Sequence, residues 1–391
     1  MGADIQGLSR DRLGRITAAF EAAVEAGRIG GAVLAIHRRG ETAYQQAIGY
    51  RDKAAGDPMR EDAIFRLYSM TKPLTSVAAM MLVERGQMLL MDPVATYLPS
   101  FAGQQVAVPD PATGEIALER VRRPATIQDL LRHTSGLVYD QLFESTPAKR
   151  LYREAEISSR RETLAEKIDR LGALPLAHQP GEVFEYGYST DVLGRVIEIV
   201  TGKTLDVVLA DEITGPLGMV DTAFHVPAEQ RHRLAEPVAV GGKIPPLRKV
   251  AEPPLMLSGG GGMVGTLADY LKFCRMLLAG GVLDGTRLLG TKTVAYMTAD
   301  HLADRRRDNG TGRYLLGAGH GFGLGFSVRI AAGDSDMPGS VGDYSWGGLA
   351  GTQFWIDPAE DLIAVMLIQQ PNEFTEFWRL YRNLVYQAIV A

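Results

Sequence analysis

The stretch "RLYSMTKPLTSVAAMMLVERG", Arg66 to Gly86, places Ser69 three residues ahead of Lys72 at the start of a long apolar run. Side chains three apart on a helix share a face, so the Lys72 amine can reach the Ser69 hydroxyl. Such a pair can make a nucleophile: the amine takes the serine proton, or its charge steadies a neighbouring base that does. The first turn of a helix is a poor place for a cation unless it has work there, since the helix dipole favours anions at that end. The same field, with burial, is expected to push the amine pKa down. The plainer reading is a snorkelling lysine with Ser69 as a helix cap.

Two further segments carry chemistry-bearing residues. In "PGEVFEYGYSTDVLG", Tyr186 follows a Pro-Gly turn and precedes a helix, where a side chain is presented to a cleft; Tyr188 is its competitor, and a tyrosine stapling the helix end is the structural alternative. In "DYSWGGLAGTQFWID", Gly347 and Gly348 let a ligand approach and leave an N–H such as that of Leu349 for a substrate oxygen, unless they mark only a bulge. His133 in "LLRHTSGL" invites a Ser-His pairing, but no acidic residue to orient it is identifiable, so a structural role is expected. "GGGGMVG" has the glycines of a dinucleotide loop without a preceding strand, and "GTRLLGTKT" misses phosphate-loop spacing by one residue. There is no G-x-S-x-G, and the 7 histidines show no paired metal spacing, so no metal and no cofactor are expected.

The elements that must hold these residues are ordinary for a globular enzyme. The chain has 391 residues, a net charge of -5, 46% hydrophobic and 22% charged residues. This mild acidity without basic runs argues against nucleic acid and anionic membranes as partners. No secretory leader or spanning segment is visible, so a cytoplasmic location is expected, and Cys274 reads as a core residue of an apolar helix face. The oligomeric state is not written in the sequence. Ser9 is placed to cap a helix to about Ala26, followed by two strands turning at Gly40. Helical text fills the middle, with capping-box spacing at Thr126/Asp129 and Thr266/Asp269. Strand text returns in "GFGLGFSVRIA", "SWGGLAGTQFWIDP" and "DLIAVMLIQQ", before a closing helix. The expected fold class is α+β: an antiparallel sheet from both ends of the chain, residues 1–67 and 255–391, flanked by terminal helices, with a mostly helical domain, 68–254, inserted and the site at their interface.

Taken together and in order, "FRLYSMTKPLTSVAAMMLVERGQMLLMDPVATYLPSF", "IQDLLRHTSGL", "PGEVFEYGYSTDVLGRVIEIVTG", "PLGMVDTAF", "GGGGMVGTLADYLKF" and "FGLGF" resemble the serine β-lactamase and penicillin-binding-protein superfamily, in particular class C enzymes and family VIII carboxylesterases. The resemblance implies a β-lactamase/transpeptidase-like fold. It makes Ser69 the acylated nucleophile, Lys72 and Tyr186 its proton-handling partners, and the backbone N–H groups of Ser69 and Leu349 the oxyanion hole. Tyr188 stands where β-lactamases carry an Asn that holds the substrate amide, and Trp346-Gly347-Gly348 replaces their Lys-Thr-Gly. Exchange of that lysine for an apolar wall implies neutral substrates. The expected activity is therefore hydrolysis of small esters, with weak lactam turnover. A β-lactamase or D-amino-acid peptidase, an acyltransferase, and a non-catalytic binding protein are the alternatives. The segment from about Asp140 to Arg170 is expected to wall the pocket.

Overall fold

A computed structural model describes residues 4–391 apart from 111, 114, 144, 306, 308 and 372. Its centre is an eight-stranded antiparallel sheet. Three strands come early, β1 (Gly31–Arg38), β2 (Glu41–Asp52) and β3 (Asp57–Pro58). Five come late, β4 (His320–Phe322), β5 (Ser327–Arg329), β6 (Tyr344–Gly347), β7 (Gln353–Asp357) and β8 (Leu362–Ile368). Their spatial order is β4-β5-β6-β7-β8-β1-β2-β3. The junction between early and late strands is β1 against β8, in register from Ala32 opposite Ile368 to Arg38 opposite Leu362. Both are buried along their whole length, which is why "GAVLAIHR" and "LIAVMLI" read as near-continuous apolar runs instead of alternating ones. The β1–β2 turn has Arg39 and Gly40 both at positive φ, 51° and 81°, the pair that matches strand twist in a two-residue hairpin.

One face of the sheet is covered by α1 (Arg10–Glu25) and α8 (Phe374–Tyr386). Their apolar stripes meet the strands through Ile16, Phe20, Val24, Phe377, Tyr381 and Val385. Phe20 lies 5.6 Å from Phe377 and 5.9 Å from Tyr381 between ring centroids. The other face receives α6 (Leu267–Leu278), with Tyr270 5.1 Å from Phe354 and Cys274 fully buried. Beyond it stand α2 (Thr71–Glu84), α3 (Ile127–Leu131), α4 (Leu164–Gly172) and α5 (Ser189–Thr201). Every residue of α2 from Thr71 to Leu82 is buried, as its all-round apolar sequence requires.

Four local expectations are modified. Ser9 sits at the N-cap of α1 without a side-chain cap bond. Thr126 and Asp129 form both arms of a capping box, whereas Thr266 accepts from the Asp269 N–H alone, because the Asp269 carboxylate is turned to the Asp221 N–H at 2.7 Å and the Thr222 hydroxyl at 3.0 Å. "GFGLGFSVRIA" is a hairpin, not one strand, and it turns at Gly325 (φ 105°), where any Cβ would overlap the Ser76 side chain. The helical middle also contains a small hairpin, Gln105–Pro109 against Ile116–Arg120. Its outer strand is mostly exposed, so its sequence carries little apolar alternation to read.

Candidate active site

Ser69 stands outside α2, in a single 3-10 turn, Tyr68–Met70, that precedes it. Its hydroxyl caps nothing; Met70 occupies the N-cap position. Tyr68 holds φ at 46°, a left-handed conformation that costs a non-glycine residue roughly 1–2 kcal/mol and is retained only where surroundings enforce it. They do. The Tyr270 hydroxyl donates to the Met70 carbonyl at 2.9 Å, the Thr352 hydroxyl to the Leu67 carbonyl at 3.0 Å, and the Arg248 N–H to the Tyr68 hydroxyl at 2.9 Å.

Lys72, 1% exposed, sits one turn on, inside α2. Its Nζ donates to Ser69 Oγ at 3.3 Å, to the Tyr139 hydroxyl at 3.2 Å and to the Gly260 carbonyl at 2.6 Å. Three acceptors match the three protons of an ammonium, which is how a buried cation avoids the cost of unpaired charge. The Gly260 carbonyl is aimed by Asp191 on α5, whose carboxylate accepts from the Ser258 hydroxyl at 2.5 Å and the Gly260 N–H at 3.1 Å. The glycine run thus closes the site over Lys72, a role unrelated to a nucleotide loop.

Tyr186 lies in the turn before α5, with its ring centroid 4.5 Å from Lys72 Nζ. Its hydroxyl accepts the Trp346 indole N–H at 3.3 Å. Trp346 is therefore more than the apolar wall its type suggests: it also supplies a donor to the tyrosine oxygen. Behind Tyr186, His133 packs at 4.8 Å, and burial together with the Lys72 charge holds its imidazole well below the ordinary value, so it is a neutral supporting ring. The preceding residue, Glu185, is buried and gathers Lys149 (3.2 Å), His178 (3.3 Å), Thr311 (2.8 Å) and Asn309 (2.6 Å), which fixes the backbone carrying Tyr186. The Tyr188 hydroxyl donates to Asp140 at 3.0 Å, so only its ring faces the cavity.

Ser69, Tyr186, Tyr188 and Trp346 line one cavity of about 520 Å³. Gly347, Gly348 and Leu349 form the wall beyond β6, and Asp140, Leu142, Phe143, Ser158, Arg160 and Lys167 bring the 140–170 segment to another side. Gly348 N–H donates to the Thr352 carbonyl at 2.7 Å, which turns the backbone so that Leu349, half exposed, lies at the cavity edge. Ser69, Lys72, Tyr186, Tyr188, Trp346, Gly347, Gly348 and Leu349 are all brought to this place, Lys72 through its bond to Ser69.

The sequence carries no functional sign for Asp191 and a single faint one for Tyr139, and Gly260 stands out in it only as part of a glycine run that looks like a dinucleotide loop. Tyr139, partly buried in the cavity wall, lies 5.5 Å from Tyr186 and 4.6 Å from Tyr188, and the loss of solvent, with Asp191 nearby, holds its phenol well above the ordinary value, so it stays protonated. Its one sign is its place two residues past "SGL", next to an aspartate. Among the described residues no cluster of three metal-ligating side chains occurs, and no helix is long and apolar enough to cross a membrane.

The geometry has close parallels. Esterase EstB of Burkholderia gladioli is 35% identical over 92% of this chain and 91% of its own. The solved structure of EstCE1, a hydrolase with promiscuous acyltransferase activity, matches with a TM-score of 0.81 at 29% identity, covering 96% of this chain and 99% of that one. Simvastatin synthase LovD of Aspergillus terreus matches with a TM-score of 0.80 at 27% identity, covering 97% and 98%. These matches show a β-lactamase/transpeptidase-like fold, and the family model described as Beta-lactamase matches residues 16–387: the chain belongs to the β-lactamase family.

Proposed function

We propose that this protein is a serine carboxylesterase that hydrolyses small or short-chain acyl esters through an acyl-enzyme on Ser69. The observation that carries the reading is the triple donation of Lys72 to Ser69, Tyr139 and Gly260 beneath the Tyr186 ring. With its protons committed, Lys72 acts as a fixed positive charge. Tyr186, acting as the phenolate beside the Lys72 charge and the Trp346 N–H, takes the Ser69 proton as Ser69 Oγ attacks the ester carbonyl. The N–H groups of Ser69 and Leu349 hold the oxyanion, and the Lys72 charge offsets the negative charge that develops beside it. Tyr186 returns the proton to the leaving alcohol. Water then gives a proton to the same oxygen as it attacks the acyl carbonyl, the acyl–Ser69 bond breaks, and Tyr186 passes that proton to Ser69 Oγ, releasing the acid.

The choice of esters over lactams is supported by two contacts. Tyr188 spends its hydroxyl on Asp140, and Trp346 fills the position of the lysine that pairs with a lactam antibiotic's carboxylate. EstB, at 35% identity, is named an esterase. A second reading, acyl transfer to an alcohol other than water, shares every step up to deacylation and is favoured by EstCE1, a hydrolase with promiscuous acyltransferase activity.

The test compares wild type with Ser69→Ala on p-nitrophenyl butyrate and a chromogenic cephalosporin, with intact-mass detection of the acyl-enzyme. Ser69-dependent ester turnover with little on the cephalosporin supports the proposal. The reverse preference makes the protein a lactamase, and turnover raised many-fold by an added alcohol favours the transferase.

A further inference from the structure

Two buried polar atoms in the cavity wall have no hydrogen-bond partner among the described residues: Oε1 of Gln353 and Nε1 of Trp378. Gln353, 2% exposed, lies on β7 directly opposite Gly347 on β6. Any Cβ at Gly347 would overlap the Gln353 amide, so the glycine gives that amide its space. Trp378 comes from α8, on the same wall as Tyr314 and Leu315 of α7 (Gly310–Leu315). That helix is tied to α8 by the Tyr314 hydroxyl and Thr375 Oγ1 at 3.3 Å and carries Phe143 against Tyr314 at 5.3 Å. The wall is otherwise mostly apolar. None of these polar atoms serves Ser69, Lys72 or Tyr186.

A buried acceptor and a buried donor without partners are costly to leave unmade, and a ligand that supplies both bonds recovers that cost. Both groups are neutral, so the match is a neutral function that donates and accepts at once. We infer that Gln353 and Trp378 form a recognition site for a secondary amide or hydroxyl in the substrate's acyl part, so that the esters preferred here are amide- or hydroxyl-bearing and not plain alkanoates. This rests on the esterase reading for its kinetic test, but not for its binding test. A site built to hydrogen-bond a substrate group discriminates against the analogue lacking it far more strongly than an apolar pocket discriminates by size.

The experiment uses matched-length p-nitrophenyl esters: 4-acetamidobutanoate with heptanoate, and 6-acetamidohexanoate with nonanoate. The ratio of kcat/KM within each pair is measured in wild type, Gln353→Leu and Trp378→Phe. A fall of about tenfold in the amide-to-alkanoate ratio in both variants, in at least one pair, is expected. A ratio that neither substitution moves in either pair overturns the site. Binding is then read without catalysis: Ser69→Ala is titrated calorimetrically with methyl 6-acetamidohexanoate and methyl nonanoate, with and without Gln353→Leu. Tighter binding of the amide ester that Gln353→Leu abolishes supports the site even where no ester is turned over. Equal binding of the two overturns it even where turnover is fast. Trp378→Phe keeps the ring and decides the matter where Gln353→Leu does not fold.

Discussion

The two faces of the central sheet are built on different principles. Beneath α1 and α8 the packing is built on rings, with Phe20, Phe377, Tyr381 and Trp355 interlocked at ring-centroid distances of 5.4–5.9 Å, and its polar contacts, such as the Tyr381 hydroxyl on the Ala35 carbonyl and Arg382 on Asp343, tie the helix to the sheet. On the opposite side, around Ser69, the decisive contacts are polar and long-range: Lys72 to Tyr139, Lys72 to Gly260, Asp191 to Ser258, Trp346 to Tyr186. On the first face most side chains act by filling volume, whereas each of these contacts on the second specifies one atom. Stability and chemistry are thereby housed in separate places, and single substitutions should move one without the other.

Four measurements sharpen or break that division. Lys72→Ala is expected to lower the ester kcat/KM by about 10⁴-fold or more, the scale on which members of a catalytic unit act, while the folded state persists. Near-normal rates would remove Lys72 from the mechanism. Phe20→Ala should cost about 3–5 kcal/mol in denaturant unfolding and leave kcat of the folded enzyme unchanged; a matching loss of kcat would show the faces to be coupled. Asp129 lies between the extremes. Burial alone would raise its carboxyl, but Arg123 at 2.5 Å, Arg132 at 2.9 Å and the Thr126 N–H at 3.0 Å bring it down to about 2. A depressed carboxylate stabilises the fold above its unfolded value near 4, and that contribution is lost as pH falls toward 2. Asp129→Asn should therefore remove roughly 2 kcal/mol of stability at neutral pH and flatten the acid limb of the unfolding profile. An unchanged limb would refute the assignment. Smallest of all, Trp346→Phe deletes the N–H on the Tyr186 oxygen and should lower kcat on p-nitrophenyl butyrate about tenfold. No change would return Trp346 to the role of an apolar wall.

What was legible in the sequence follows the same division. α1, the β1–β2 hairpin and the buried strand β8 announce themselves through spacing and apolar runs, because their partners are adjacent or their burial is complete. Ser69 and Lys72 were legible as a pair because three residues separate them on one chain. Tyr139 and Gly260 were not: they meet Lys72 across 67 and 188 residues, and no local pattern records an encounter made by folding. The Asp269 side chain illustrates a second limit. Its spacing from Thr266 promised a capping box, and a backbone N–H at Asp221, 48 residues away, won the carboxylate instead.

The pairing of β1 with β8 also sets an order of events in time. Gly31–Arg38 can close a hairpin with the adjacent β2 at once, but its other edge finds Leu362–Ile368 only after the long stretch of chain between them has been made. Until then an apolar strand edge stays open to wrong partners, and non-local closure of this kind is slow. The helical middle can gather meanwhile, so formation of the Ser69 site and closure of the sheet should be separate kinetic phases, with β8 docking the last and slowest.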